Sequence, residues 1–161
     1  MGMDVHGLNP KINKDDFPVF NKFNNMEFKE KWKELDSNDS LRDKYFDEMR
    51  DYEESNPGYY FRNNVWWWRP LWDYCYFIAD DLISEELWNN GHNNDGAGLN
   101  DRDAKLLGNR LLQKIREGDA DVFKKHHEEQ EENEKYKYPF DVDNVKAFAE
   151  FCIESGGFEI C

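Results

Sequence analysis

The residues best equipped for chemistry lie between Tyr59 and Asp95. The first group is the run Tyr59-Tyr60-Phe61-Arg62-Asn63-Asn64-Val65-Trp66-Trp67-Trp68-Arg69-Pro70. Aromatic faces stack on bases, and a guanidinium grips phosphate or carboxylate through paired hydrogen bonds. Arg62 and Arg69 would then hold charge, Trp66, Trp67 and Trp68 would stack, and Asn63 and Asn64 would meet the polar edges of a base or sugar. The plainer reading is that these rings build the core, with the arginines neutralised by acids such as Asp73. Three consecutive tryptophans cannot share one face of a strand or a helix. At least one is therefore expected at the surface or against another element.

The second group is Gly91-His92-Asn93-Asn94-Asp95-Gly96-Ala97-Gly98. Glycine-rich chain running into a helix offers free N–H groups to an anion, with His92, Asn94 and Asp95 as polar contacts. His92 and Asp95 could also form an acid–base pair or two metal ligands. The alternative is a capping loop whose Asn and Asp side chains bond local backbone. The spacing fits neither a Walker loop nor a Rossmann turn. His126 and His127 are neighbours on a helix and point apart. Asp80-Asp81 and Glu85-Glu86 read as surface acid, and Cys75 as a buried thiol on an apolar helix face. No Gly-x-Ser-x-Gly, His-Glu-x-x-His or EF-hand spacing occurs, and nothing calls for a cofactor or a metal.

Helices must carry most of these groups. Apolar spacing predicts helices over Met26 to Leu35 and Ser40 to Tyr52, the second burying Leu41, Tyr45, Phe46 and Met49. Ser55-Asn56-Pro57-Gly58 breaks the chain, and Pro70 suits the first turn of a helix that buries Leu71, Tyr74, Cys75, Ile78 and Leu82. A short helix at Ser84 to Trp88 leads into the asparagine-rich loop. Asn100 is placed to cap a helix that buries Ala104, Leu107, Leu111 and Ile115 and stops at Gly118. A charged helix follows from Asp119 to about Tyr136, and Asp143 can cap a last one with Val145, Phe148, Ala149 and Cys152 inside. Met3-Asp4-Val5 and Phe158-Glu159-Ile160-Cys161 are placed to pair as a small sheet, although no residue fixes that pairing. The expected architecture is mainly α (α+β): one compact helical domain over 1–161, with 11–57 as an acidic helical insertion.

The 161 residues suffice for one substantial core, and an aromatic share of 16% argues for folding rather than disorder. A net charge of −14 repels phosphate backbones and anionic lipid, which disfavours direct nucleic-acid or membrane binding. The most apolar stretch, Val65 to Ile83, contains Arg69, Asp73, Asp80 and Asp81 and is unsuited to a bilayer. Three cysteines, Cys75, Cys152 and Cys161, fit no zinc pattern and suggest a reducing compartment. The N-terminus shows no secretory signal, so the cytoplasm of a bacterial host cell is expected.

Three blocks together resemble a family of small bacterial and phage proteins without an assigned activity. They are Met1-Gly2-Met3-Asp4-Val5-x-Gly7-Leu8-x-Pro10, then Tyr60-Phe61-Arg62-Asn63-Asn64-x-Trp66-Trp67-Trp68-Arg69-Pro70-Leu71-Trp72-x-Tyr74, and Ser155-Gly156-Gly157-Phe158-Glu159-Ile160-Cys161. Asn94-Asp95-Gly96-x-Gly98-Leu99 also fits. The resemblance implies that these blocks fold together and that Lys11 to Pro57 is an expansion. It transfers no catalytic residue.

The leading expectation is a small non-enzymatic binding protein that captures a nucleotide-like or other anionic ligand. Its contacts would be Arg62, Asn63, Asn64, Trp66, Trp67, Trp68, Arg69, His92, Asn94 and Asp95. In a phage, such a protein could sequester a signalling nucleotide of host defence. The alternative is an inhibitor that mimics nucleic acid with its acidic helices, 26–54 or 119–135, and contacts a basic protein partner. A hydrolase built on His92 and Asp95 ranks last, because no third group with an evident role is visible.

Overall fold

A computed structural model describes residues 1–131 and 138–161, and divides the chain into two compact units. One unit joins 1–11 to 57–161, and the other is 12–56. The expected α+β architecture is present, with a four-stranded antiparallel sheet that includes both ends of the chain.

In the larger unit the sheet is formed by β1 (Gly2–Gly7), β2 (Tyr60–Asn64), β3 (Ala97–Asn100) and β4 (Gly157–Ile160), in the order β2-β1-β4-β3. Val5 stands opposite both Phe61 and Ile160, which sets the register of the central strand. Side chains alternate across a strand. Met3, Val5, Phe158 and Ile160 are accordingly buried against helices, while Asp4 and Arg62 lie opposite each other on the other face. The sheet pairing anticipated from Met3-Asp4-Val5 and the apolar tail is therefore present. β3 falls in a stretch expected to be loop. Its four residues have little strand character of their own, and pairing with β4 supplies what propensity does not.

This unit's long helices are α4 (Val65–Ile78), α6 (Asp101–Arg116), α7 (Asp119–Glu131) and α8 (Val142–Glu154), with a short α5 (Glu85–Asn90) between α4 and β3. The part of the expected charged helix beyond Glu131 lies outside the described residues. Asn100 caps α6 as expected, its Oδ1 accepting the Asp103 N–H at 2.9 Å. α8 starts two residues earlier than expected. Asp141 is its cap, with Oδ1 accepting the Asp143 N–H at 3.2 Å, so Asp143 falls in the first turn where its charge is favourable. α4 also starts early. Asn64 Oδ1 accepts the N–H groups of Trp66 and Trp67, both at 3.1 Å, so Pro70 stands inside the helix rather than in its first turn. Proline there leaves the Trp66 carbonyl without its usual helical donor.

The smaller unit consists of α1 (Pro18–Asn24), α2 (Phe28–Asp36) and α3 (Asp39–Ser55). Its core is Phe17, Phe20, Phe23, Leu35, Tyr45 and Tyr52. The expected α3 stripe is rotated. Tyr45 and Tyr52 are buried, whereas Leu41 and Met49 are partly covered and Phe46 is 39% exposed. The cause is α1, which was not anticipated: Phe20 packs on Tyr52 at 4.7 Å between ring centres and selects that face. Buried Asn56 closes the unit, accepting from the Asn13 and Lys14 N–H groups and donating to the Lys14 and Tyr52 carbonyls.

α6 and α8 form the most extensive helix pair, and Gly108 permits their approach. A Cβ at that position would lie 2.6 Å from the Ala149 carbonyl oxygen. Alanine favours an isolated helix over glycine by about 1 kcal/mol. We expect Gly108→Ala nevertheless to destabilise the protein by roughly 1–3 kcal/mol, because overpacking at the crossing outweighs propensity. Urea denaturation measures the sign directly.

Candidate functional site

The site is built on α4, whose two faces serve different purposes. The three consecutive tryptophans separate as side-chain geometry requires: Trp66 is 46% exposed, Trp67 is half-buried and Trp68 is wholly buried. Trp68 stacks on Trp72 at 5.4 Å with 13° between planes, deep in the core. Stacking on a ligand is thus closed to Trp68, which belongs to the plainer core reading. Buried indoles need acceptors. Trp68 Nε1 donates to the Gly91 carbonyl at 2.8 Å, and Trp72 Nε1 donates to the Trp88 carbonyl at 3.0 Å. These carbonyls lie at the C-terminal end of α5, where backbone acceptors lack helical partners. Gly91 is required by the contact, since a Cβ there would fall 2.3 Å from Trp72 Nε1.

The other sequence-derived candidates do not form one site. Arg62 projects from β2 and pairs with Asp4 at 3.4 Å. Asn63 and Asn144 exchange reciprocal amide hydrogen bonds at 3.0 and 2.8 Å, tying β2 to α8. Asn64 is committed to the α4 cap. Arg69 is exposed on α4, with its guanidinium 5.8 Å over the Tyr138 ring and Nη1 donating to the Tyr138 hydroxyl at 3.0 Å. Trp66 lies 5.3 Å from the same Tyr138 ring. Trp66 and Arg69 are therefore the part of the original cluster that gathers at the surface, around Tyr138, which sequence reasoning did not include.

The glycine-rich loop follows its capping reading at Asp95 alone, while Asn94 reaches backbone distant in sequence rather than local. Asn94 Nδ2 donates to the Gly2 carbonyl at 2.9 Å, and Asp95 Oδ1 accepts the Ala97 N–H at 3.4 Å. His92 does not pair with Asp95. Its Nε2 lies 3.4 Å from Asp73 Oδ1, because the Trp72 and Trp68 hydrogen bonds draw the end of α5 onto α4. The His92 Nδ1 atom is buried and has no hydrogen-bond partner among the described residues. The Trp88 indole donates to the same Asp73 oxygen at 2.8 Å.

Sequence reasoning missed the cavity that results. A groove of about 530 Å³ is lined by Asp73, Tyr76, Phe77, Asp80, Trp88 and Phe123. Tyr76 and Trp88 stack along one side at 5.3 Å and 21°. Phe77 is 71% exposed, and its ring lies 6.3 Å from Phe123 of α7. The available signal was the spacing of Asp73, Tyr76, Phe77 and Asp80, which places them along one side of α4 and its exit. Trp88 and Phe123 come from other elements and could not be added without the fold.

Three titratable sets bear on catalysis. Burial pushes the thiols of Cys75 and Cys152 well above the usual range, which leaves them un-ionised and unsuited to nucleophilic attack. Burial and then a hydrogen bond to Asp119 push the Tyr74 phenol up as well. The Asp81 carboxyl is held below its usual range by hydrogen bonds from Arg110, which reaches it with two N–H groups. Among the described residues no group of three or more His, Cys, Asp or Glu side chains is arranged to hold a metal ion, and no helix is long and apolar enough to cross a membrane. Comparison with known proteins brings no match to a family model, a curated protein or a solved structure.

Thiol accessibility checks this description. The folded protein should react with one equivalent of a maleimide, at exposed Cys161, and with three only after denaturation. The Cys161 thiol is itself raised, first by desolvation and then by Glu159 and Asp4. Its thiolate fraction is therefore reduced at any pH below its pKa, and the half-maximum of its alkylation rate should lie above that of a free thiol. Labelling of Cys75 in the native state would contradict the assigned burial.

Proposed function

We propose that the protein is a small non-enzymatic binding protein that captures a planar anionic ligand of the nucleotide class at Trp66, Arg69 and Tyr138. The observation that carries the reading is their juxtaposition. An exposed indole, a phenol 5.3 Å away and a guanidinium over that phenol offer stacking and a positive charge on one surface. Among the described residues no carboxylate pairs with Arg69, whereas Arg62 is engaged by Asp4. The ring–guanidinium contact also orients the fork before a ligand arrives, which lowers the ordering cost of binding. His92, drawn to Asp73 rather than Asp95, and the un-ionised buried thiols favour binding over turnover. In the phage setting implied by the resemblance, the ligand is a signalling nucleotide held out of circulation.

A thermal-shift panel of mono-, di- and cyclic nucleotides, followed by calorimetry on any hit, tests this. Ligand at one hundred times Kd stabilises a protein by about 2.7 kcal/mol. The expected result is stabilisation by at least one nucleotide, reduced about ten-fold in affinity by Trp66→Ala or Arg69→Ala and unaffected by Arg62→Ala. Equal affinity in all three variants would sink the assignment to this surface.

A second reading is favoured by the smaller unit. Phe28 is 72% exposed, Phe46 is 39% exposed, and both rings adjoin Trp32, on helices rich in carboxylates. Aromatic anchors within an acidic surface suit a basic protein partner, the role of a nucleic-acid mimic. Such a complex should weaken steeply with salt and lose most of its affinity in Phe28→Ala, while Trp66→Ala leaves it unchanged. Binding measured at low and near-physiological salt separates the two readings.

A further inference from the structure

The groove beside α4 has the opposite chemistry to the Trp66 surface. Four rings, Tyr76, Phe77, Trp88 and Phe123, line it together with the carboxylates of Asp73 and Asp80. Ring faces carry the negative part of an aromatic quadrupole and attract cations, most strongly when the cation is partly desolvated. Carboxylates add full negative charge. Phosphate or carboxylate ligands would meet repulsion from both components. Among the described residues no lysine or arginine lines the groove. The guanidinium of Arg110, whose charge is felt by Asp80, is already spanned by Asp81 and also donates to the Ile78 carbonyl.

The groove is also built before any ligand enters. Trp72 fixes the backbone of Trp88, and the Trp88 indole fixes Asp73 through Oδ1. Asp73 Oδ2 is left without a partner among the described residues, so one oxygen of an oriented carboxylate is available to an N–H donor or a positive charge. Exposed Phe77 adds an apolar face at the rim. A net charge of −14 raises the local concentration of cations around the whole molecule.

We propose that this groove binds a protonated or alkylated amine carried by a small molecule. Its volume, about 530 Å³, falls within the range of roughly 300–1,000 Å³ typical of small-molecule sites. A protein partner would require about 800 Å² of matched surface on this side, of which a groove bounded by six residues supplies a fraction. The ammonium sits among the rings, with Asp73 Oδ2 and Asp80 compensating its charge. The site is independent of the Trp66 surface, and Trp66→Ala leaves it intact.

The test is calorimetry on the full chain at near-physiological salt with choline, putrescine and the uncharged tert-butyl isostere of choline. The expected result is saturable binding of an amine below about 10 mM, with the isostere at least ten-fold weaker. Phe77→Ala, and separately Asp73→Asn with Asp80→Asn, should each weaken the amine at least five-fold. Asp47→Asn with Asp51→Asn makes the same change in net charge within the other unit and should leave affinity unchanged. A check that needs no variant is indole NMR: the amine should move the Trp88 N–H resonance and leave those of Trp68 and Trp72 in place. The proposal is overturned by equal binding of the isostere, by equal losses in the two double-asparagine variants, or by no response to either amine. Saturation by an oligolysine peptide without response to the small amines would also overturn it, in favour of a protein-docking groove.

Discussion

Two buried indole N–H groups control the arrangement of the larger unit. Trp68 and Trp72 are completely enclosed, and a donor without an acceptor in such a place costs about 1–3 kcal/mol. Both find acceptors at the C-terminal end of the six-residue helix α5, at the carbonyls of its Trp88 and of its C-cap Gly91. A helix that short has little stability alone and exposes most of its C-terminal carbonyls. The core's unsatisfied donors and the helix's unsatisfied acceptors thus resolve one another. A third indole closes the loop in the reverse direction, from Trp88 to Asp73. The side of the groove that Trp88 and Asp73 form, and the position of His92 beside it, follow from this lacing of α5 onto α4.

α4 then divides its chemistry by side. Leu71, Trp72, Tyr74 and Cys75 are buried, while Trp66, Arg69, Asp73, Phe77 and Asp80 follow one another at intervals of three or four along the opposite side and its exit. Charge changes sign along that stripe, from Arg69 to the two aspartates. Acids at the C-terminal end of a helix are unfavourable by up to about 1 kcal/mol, since the macrodipole is negative there. α4 has no basic residue in its last turn, and Asp80 and Asp81 follow it directly. Arg110 relieves Asp81 and caps the Ile78 carbonyl, yet Asp80 is left to the groove.

Periodicity made most of the fold legible. The apolar spacing of α6 and α8 and the Asn100 cap were readable because each signal is local, whereas the terminal pairing was suggested only by the strand-like character of the two segments. Boundaries were missed where a stronger cap stood just upstream: Asn64 outcompetes Pro70 as the start of α4, and Asp141 precedes Asp143. α1 and β3 were missed because their neighbours create them, through phenylalanine packing and through pairing with β4. The candidate site was only half legible. Sequence proximity gathered Arg62 through Arg69 as one cluster, but strand and helix geometry send Arg62 to Asp4, Trp68 to the core and Trp66 with Arg69 to Tyr138. Sequence proximity ties His92 to Asp95, whereas a tertiary contact assigns it to Asp73.

The overall charge limits how either surface can work. At −14, every anion approaches against a repulsive field and every cation with an attractive one. Screening confines those fields to about 8 Å at physiological ionic strength. A planar anion must therefore be held by short-range contacts, stacking on Trp66 and a close hydrogen bond from Arg69, because long-range electrostatics work against it. An amine entering the groove gains from the distant field and from the local carboxylates alike. Salt consequently acts in opposite directions at the two places: it relieves repulsion at the Trp66 surface and weakens attraction at the groove. The acidic surface that repels phosphate backbones thus adds to the local attraction of the ring-lined carboxylate groove for a cation.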